Sequence, residues 1–125
     1  MLALGASAAA ALGGCGQDDP AVAARARTLS LTLDEYRVSP QRTSARAGRL
    51  RIVARNTGVL THNIAVVQYR RPIGTQEERR YARSETAQPG ESVETNVTLR
   101  AGKYRLICTI ANHDNLGQYG ELVVK

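Results

Sequence analysis

Four side chains of this sequence have the types and spacing to bind one metal ion. Cys108, His113 and Gln118 follow one another at intervals of five residues, and His62 lies far upstream. His62 and His113 are the only histidines of the chain. One thiolate and two imidazoles form a trigonal donor set, and a Gln oxygen is one of the weak axial ligands that complete this set around copper. The pattern predicts a single metal site, with copper as the favoured ion.

These residues resemble the signature of the cupredoxins, the small blue-copper domains of the plastocyanin and azurin type. His62-Asn63 resembles their isolated histidine, and Cys108-x4-His113-x4-Gln118 resembles their ligand loop between the last two strands. The resemblance runs from about Thr28 to Lys125 and includes Tyr36-Arg-Val-Ser-Pro40, Ala47-Gly48, Arg55-Asn-Thr-Gly58, Gln88-Pro-Gly90, Ala101-Gly-Lys-Tyr104 and Cys108-Thr-Ile110. Many members carry Met at the axial position, whereas Gln118 is similar to the stellacyanin type.

The resemblance implies a type 1 copper protein that is not an enzyme. His62, Cys108 and His113 would be the equatorial ligands of one Cu(I)/Cu(II) ion, and Gln118 would be axial. Such a protein would carry single electrons between redox protein partners.

Two further roles follow from the same resemblance. Asn63 would tie the two ligand loops together next to Thr109, although the same residue could instead form a local turn at the start of a strand. His113 would be the exposed ligand through which electrons leave, with a docking rim formed by Leu60, Ile110 and Leu116.

Short strand patterns separated by turn residues dominate the chain, and no segment keeps a helical apolar period. They predict an all-β, Greek-key antiparallel β-sandwich. The predicted strands are Thr28–Asp34, Tyr36–Val38, Ser44–Arg46, Leu50–Asn56, His62–Val67, Ser92–Leu99, Gly102–Thr109 and Tyr119–Lys125.

The segment from Tyr69 to Pro89 is rich in Arg and Glu. We predict a long exposed loop there, with one helical turn around Glu77–Tyr81. A partner could dock on its charges, but most such clusters are simply solvated.

The N-terminus resembles a bacterial lipoprotein signal. Residues 1–14 carry no charged side chain and lead into Leu12-Gly-Gly-Cys15, after which the sequence becomes polar. We expect residues 1–14 to be a signal peptide, Cys15 to carry a lipid, residues 15–27 to form a tether and residues 28–125 to form one domain. The protein would then be exported and anchored at the outer face of the cell membrane. The alternative is an apolar terminus with an incidental cysteine.

The cysteine count supports a metal role for Cys108. If Cys15 is lipidated outside the cytoplasm, Cys108 is a lone thiol in an oxidising compartment, where coordination would protect it. The alternatives are a Cys15–Cys108 disulfide or an inert buried thiol.

Other functions fit the donor set less well. Catalytic zinc also accepts Cys and two His, but the ligand motif offers only Asp114 as an acid. No oxyanion hole or orienting acid accompanies a Cys-His pair, so hydrolase chemistry has little support. A copper-holding or delivery protein without redox duty, and a degenerate cupredoxin acting as an interaction module, both remain open.

Length and composition agree with one domain of ordinary size. The 125 residues are 42% hydrophobic, although Phe and Trp are absent and five Tyr supply all the aromatic packing. The net charge of +6 rests on 15 Arg and 2 Lys that are dispersed along the chain. No aromatic-basic platform or known motif suggests nucleic-acid binding, and we expect a monomer.

Overall fold

The computed structural model describes residues 27–70 and 77–125, and these ranges consist of β-strands joined by turns. The nine strands are β1 Thr28–Asp34, β2 Arg37–Ser39, β3 Arg42–Ala45, β4 Gly48–Asn56, β5 Ala65–Arg70, β6 Glu77–Arg83, β7 Ser92–Leu99, β8 Gly102–Ile107 and β9 Tyr119–Val124. The described ranges contain no helix that is long and apolar enough to cross a membrane.

The strands form two sheets, with the orders β2-β1-β4-β7 and β3-β9-β8-β5-β6. Alternation along β1 shows which of its faces is buried. Leu29, Leu31 and Leu33 point into the core, while Ser30 and Thr32 are exposed. A fully buried Leu contributes about 1.5–3 kcal/mol relative to an exposed one. One apolar cluster drawn from both sheets therefore holds them together, and the predicted all-β sandwich is confirmed.

Two pairings in the sandwich are parallel. β1 runs parallel to β4, and β3 runs parallel to β9, while the remaining strand pairs are antiparallel. The sequence pattern predicted antiparallel sheets, because inward–outward alternation reports the buried face of a strand and not the direction of its neighbour.

All eight predicted strands overlap observed ones, and β1 and β7 have the predicted bounds. Two of the shifted boundaries lie at the candidate site. His62 precedes β5 and makes only an isolated bridge with Ala87, and Cys108 follows the last residue of β8. The candidate donors therefore lie in connecting segments at the ends of strands.

The prediction of a loop with a helical turn at Glu77–Tyr81 was wrong. This segment belongs to β6, an edge strand that pairs antiparallel with β5 through a bulge at Val66/Val67. Glu78, Arg79 and Arg80 are exposed, while Tyr81 packs against the core. Charged side chains are common on edge strands because they oppose pairing with other chains, and they also hide the apolar alternation that would reveal a strand.

The predictions for residues 1–14, for Cys15 and for most of the tether concern residues outside the described ranges. Residues 71–76 of the Arg-rich segment also lie outside them. Among the described residues, the strands of the sandwich run from Thr28 to Val124.

Candidate metal centre

A short loop after β4 positions His62. The buried amide of Asn56 donates to the carbonyls of Leu60 at 2.7 Å and Ala87 at 3.0 Å, and it accepts from the Gly58 N–H. His62 and Ala87 then exchange two backbone hydrogen bonds of 3.1 and 2.7 Å. Because these hydrogen bonds hold both ends of the loop, they fix the position of the His62 backbone.

The other candidate donors share the connection between β8 and β9. The Cys108 N–H donates to the Gln118 carbonyl at 3.2 Å, and the Gln118 N–H donates to the His113 carbonyl at 3.0 Å. Gly117 makes the return possible with a φ of 112°, a conformation that favours glycine. The connection therefore folds back on itself and brings His113 and Gln118 to the side of Cys108.

The structure brings His62, Cys108 and His113 into one cluster. Their donor atoms all lie within 4.8 Å of one another. Cys108 Sγ is 3.6 Å from His113 Nδ1 and 4.0 Å from His62 Nδ1. All three side chains are buried, and Cys108 is a free thiol.

These separations fit one shared metal ion. Bonds of about 2.0 Å to nitrogen and about 2.3 Å to sulfur, meeting at a trigonal angle, would place two donor atoms roughly 3.7 Å apart. The observed sulfur–nitrogen distances lie on either side of that value. A soft thiolate with two imidazoles is the donor chemistry that copper and zinc prefer.

Gln118 is buried with half of its amide unsatisfied. Its Nε2 donates to the Arg37 carbonyl at 3.3 Å, which fixes the orientation of the amide. Its Oε1 has no hydrogen-bond partner within the described part of the chain. A buried amide oxygen without a partner costs about 1–3 kcal/mol. The connection that carries Cys108 and His113 thus also holds one buried acceptor that is available to a ligand.

Asn63 joins the two segments that carry the donors. Its Oδ1 accepts from the Thr109 N–H at 2.8 Å, and its Nδ2 donates to Thr109 Oγ1 at 2.7 Å. His62 precedes Asn63 and Cys108 precedes Thr109, so this pair of hydrogen bonds acts directly behind two of the donors.

Comparison with solved structures identifies the fold. The chain superposes on reduced auracyanin from the photosynthetic bacterium Roseiflexus castenholzii with a TM-score of 0.66 and 19% identity, covering 79% of this chain and 97% of that one. Auracyanin A, a "blue" copper protein from the green thermophilic photosynthetic bacterium Chloroflexus aurantiacus, superposes with a TM-score of 0.66 and 24% identity, covering 78% of this chain and 98% of that one. Auracyanin B superposes with a TM-score of 0.66 and 20% identity, covering 78% of this chain and 88% of that one. The chain has the cupredoxin fold. No protein-family model matches it, and no curated protein matches it by sequence.

The predicted resemblance to the cupredoxins is thus confirmed at the level of the fold. Within this cupredoxin fold, the two histidines differ in exposure: His62 is fully buried, whereas His113 is 8% exposed. The loops that carry them expose Leu60 and Leu116. Val59, which was not predicted as part of the docking rim, is also exposed. Ile110 is half-buried.

Sequence reasoning missed Glu35, which follows β1 in the turn before β2. Its carboxylate accepts a hydrogen bond from His62 Nε2 at 2.9 Å and further bonds from the N–H groups of Leu60 and Val59. The Leu60 N–H, followed by the His62 ring, lowers the pKa of Glu35 to about 2. No motif or spacing links a turn carboxylate to a histidine 27 residues away.

The pKa of His113 is also lowered, first by burial and then by the positive charge that His62 could carry. A lowered pKa keeps the imidazole neutral near physiological pH, and only a neutral imidazole has a lone pair for a metal. The Tyr36 ring lies 5.1 Å from the His113 ring, centroid to centroid, at an interplanar angle of 59°.

Proposed function

We propose that this protein binds one copper ion and carries single electrons. The observation that carries the proposal is the convergence of His62, Cys108 and His113, whose donor atoms lie within 4.8 Å of one another in a buried cluster. The likeness to auracyanin A, which is described as a "blue" copper protein, supports the choice of metal. When bound, copper would supply a centre that gains and loses one electron.

The chain would hold this ion with four side chains. His62, Cys108 and His113 would hold the ion. Gln118 Oε1, which has no hydrogen-bond partner among the described residues, would be the fourth ligand. Because the hydrogen bonds behind the donors join backbone and side chains of the apoprotein, the ligand positions do not depend on the ion. Ligands that the fold holds in place move little when the charge of the centre changes, and this favours fast electron exchange.

Electrons would enter and leave at the His113 side. Of the two ring ligands, His113 is the one with solvent exposure, and Leu116 beside it is 58% exposed. The backbone hydrogen bond from Leu116 to the His113 carbonyl places both on one turn. We propose that redox protein partners dock on the apolar surface formed by Leu60, Ile110 and Leu116.

The cellular location is proposed from the sequence alone. Leu12-Gly-Gly-Cys15 follows an uncharged apolar segment, as in a bacterial lipoprotein signal. We propose export, cleavage before Cys15 and lipid attachment at its thiol, which would anchor the domain at the outer face of the cell membrane.

Voltammetry of the copper-loaded full-length chain tests the proposal. An electron carrier should give a reversible one-electron wave with one copper per chain, and should keep its copper when mixed with an apo-acceptor. Rapid transfer of copper to the acceptor without a reversible wave would instead identify a delivery protein. Cys108→Ser should abolish the wave, whereas Cys15→Ser, which removes the other thiol, should leave it unchanged.

A further inference from the structure

Glu35 contacts the outer side of the His62 ring. Its Oε1 lies 2.9 Å from His62 Nε2, while His62 Nδ1 faces Cys108 Sγ on the opposite side of the ring at 4.0 Å. The His62 side chain is fully buried and that of Glu35 is 25% exposed. The carboxylate therefore stands between a buried ring and solvent.

Two backbone groups hold the carboxylate in this position. The Leu60 N–H donates to Glu35 Oε1 at 2.8 Å, and the Val59 N–H donates to both carboxylate oxygens at 3.0 and 3.2 Å. Gly58 leaves the necessary space, because a Cβ at that position would overlap the carboxylate of Glu35. The loop that leads to His62 is thus shaped around an acidic side chain from a different turn.

The contact decides which ring nitrogen carries the proton. An ionised carboxylate can only accept hydrogen bonds, so His62 Nε2 must be the donor. In a neutral ring, Nδ1 then keeps its lone pair, and Nδ1 is the atom that faces the cluster. A carboxylate behind a ligating histidine also raises the basicity of that ligand.

We propose that Glu35 is a positioning residue for the copper site, which fixes the tautomer of His62 and lowers the reduction potential through its negative charge. This inference rests on the proposed function. A negative charge behind a ligand stabilises the more positive oxidation state of the centre, so the oxidised form gains relative to the reduced form. Glu35 would thereby favour Cu(II) although it is not itself a ligand of the ion.

Glu35→Gln removes the negative charge but keeps a hydrogen-bond acceptor, because the Gln side-chain oxygen can still accept from His62 Nε2. In the copper-loaded full-length chain, we expect this variant to shift the one-electron equilibrium at least threefold toward the reduced form, which corresponds to about 28 mV. The matched control is Glu94→Gln, which makes the same change of net charge on β7 and removes an exposed ion pair with Arg51. A shift for Glu35→Gln no larger than that of Glu94→Gln would overturn the tuning role.

The tautomer is read separately in the copper-free protein by ¹H–¹⁵N NMR of the imidazole rings. Wild type and Glu35→Gln should show His62 with the proton on Nε2, and Glu35→Ala should show a mixture of tautomers. Gly58→Ala, which displaces the carboxylate without removing it, should resemble Glu35→Ala. A wild-type proton on Nδ1, or an unaltered tautomer in both Glu35→Ala and Gly58→Ala, would overturn the positioning role. Failure of the wild type to bind copper would count against the proposed function, while this NMR result would still decide the role of Glu35.

Discussion

Asn63 and Thr109 connect the two halves of the candidate site through two hydrogen bonds of 2.7 and 2.8 Å. Each residue directly follows a donor, since Asn63 follows His62 and Thr109 follows Cys108. The bonds cross between segments 46 residues apart in the sequence. The separation of the two donors is therefore set by the protein before any ion binds.

Removing this connection should loosen the apoprotein. Asn63→Ala leaves a partly buried Thr109 N–H without its acceptor, so we expect the free energy of unfolding to fall by about 1–3 kcal/mol. Urea denaturation of the copper-free chain measures it. The control Asn96→Ala, at an exposed position of β7, should change stability by no more than about 0.5 kcal/mol. Equal effects at the two positions would show that the connection does not stabilise the fold.

Replacing Gln118 by Met tests the axial ligand. An amide oxygen is a harder donor than a thioether and favours Cu(II), so Gln118→Met should raise the reduction potential by at least ~59 mV, a tenfold change in the one-electron equilibrium. The visible band should persist. Gln41→Met, at an exposed position, is the control and should leave the potential unchanged. A potential unaffected by Gln118→Met would mean that Gln118 does not reach the copper, and a fall would contradict the hard-donor argument.

Gly117 should be sensitive to substitution for two reasons. Its φ of 112° is strained for any residue with a Cβ, and that Cβ would lie 3.2 Å from the Tyr36 carbonyl oxygen. Gly90 has a φ of 83° but open space around it. We expect both Gly→Ala variants to lose about 1–2 kcal/mol from backbone strain. Only Gly117→Ala should also alter the visible spectrum of the copper form, because it moves the turn that carries His113; identical spectra for the two variants would contradict this reading.

Cell fractionation tests the membrane anchor. Expressed from its natural start in a bacterial host, the wild type should appear in the membrane fraction, and Cys15→Ala should release it or stall its processing. Cys108→Ser removes the other thiol and should remain in the membrane fraction. Equal partitioning of the wild type and Cys15→Ala, with no difference in processing between them, would show that Cys15 does not anchor the protein.

The sandwich could be predicted because several strands alternate between buried and exposed residues, as β1 does with Leu29, Leu31 and Leu33 buried. It also selected His62, Cys108 and His113, which the structure brings together, because few other soft donors exist in the chain. Strand β6 was missed because its charged edge residues carry no such alternation.

Other features of the site depend on tertiary contacts that have no sequence signal. Glu35 lies near His62 because β1 and β4, whose ends lead to these two residues, pair in parallel. The local sequence does not predict that pairing. Whether neighbouring strands run parallel or antiparallel likewise cannot be inferred from a periodicity of two residues. Distant contacts of single polar side chains are therefore the part of a site that sequence patterns describe least.

The visible spectrum after addition of one equivalent of Cu(II) to the purified full-length protein tests the central claim most directly. Thiolate-to-copper charge transfer from Cys108 should give an intense blue or green colour at one copper per chain. Cys108→Ser should abolish the band, whereas Cys15→Ser should preserve it. A colourless protein that binds no stoichiometric copper, or a band that survives Cys108→Ser, would contradict the account.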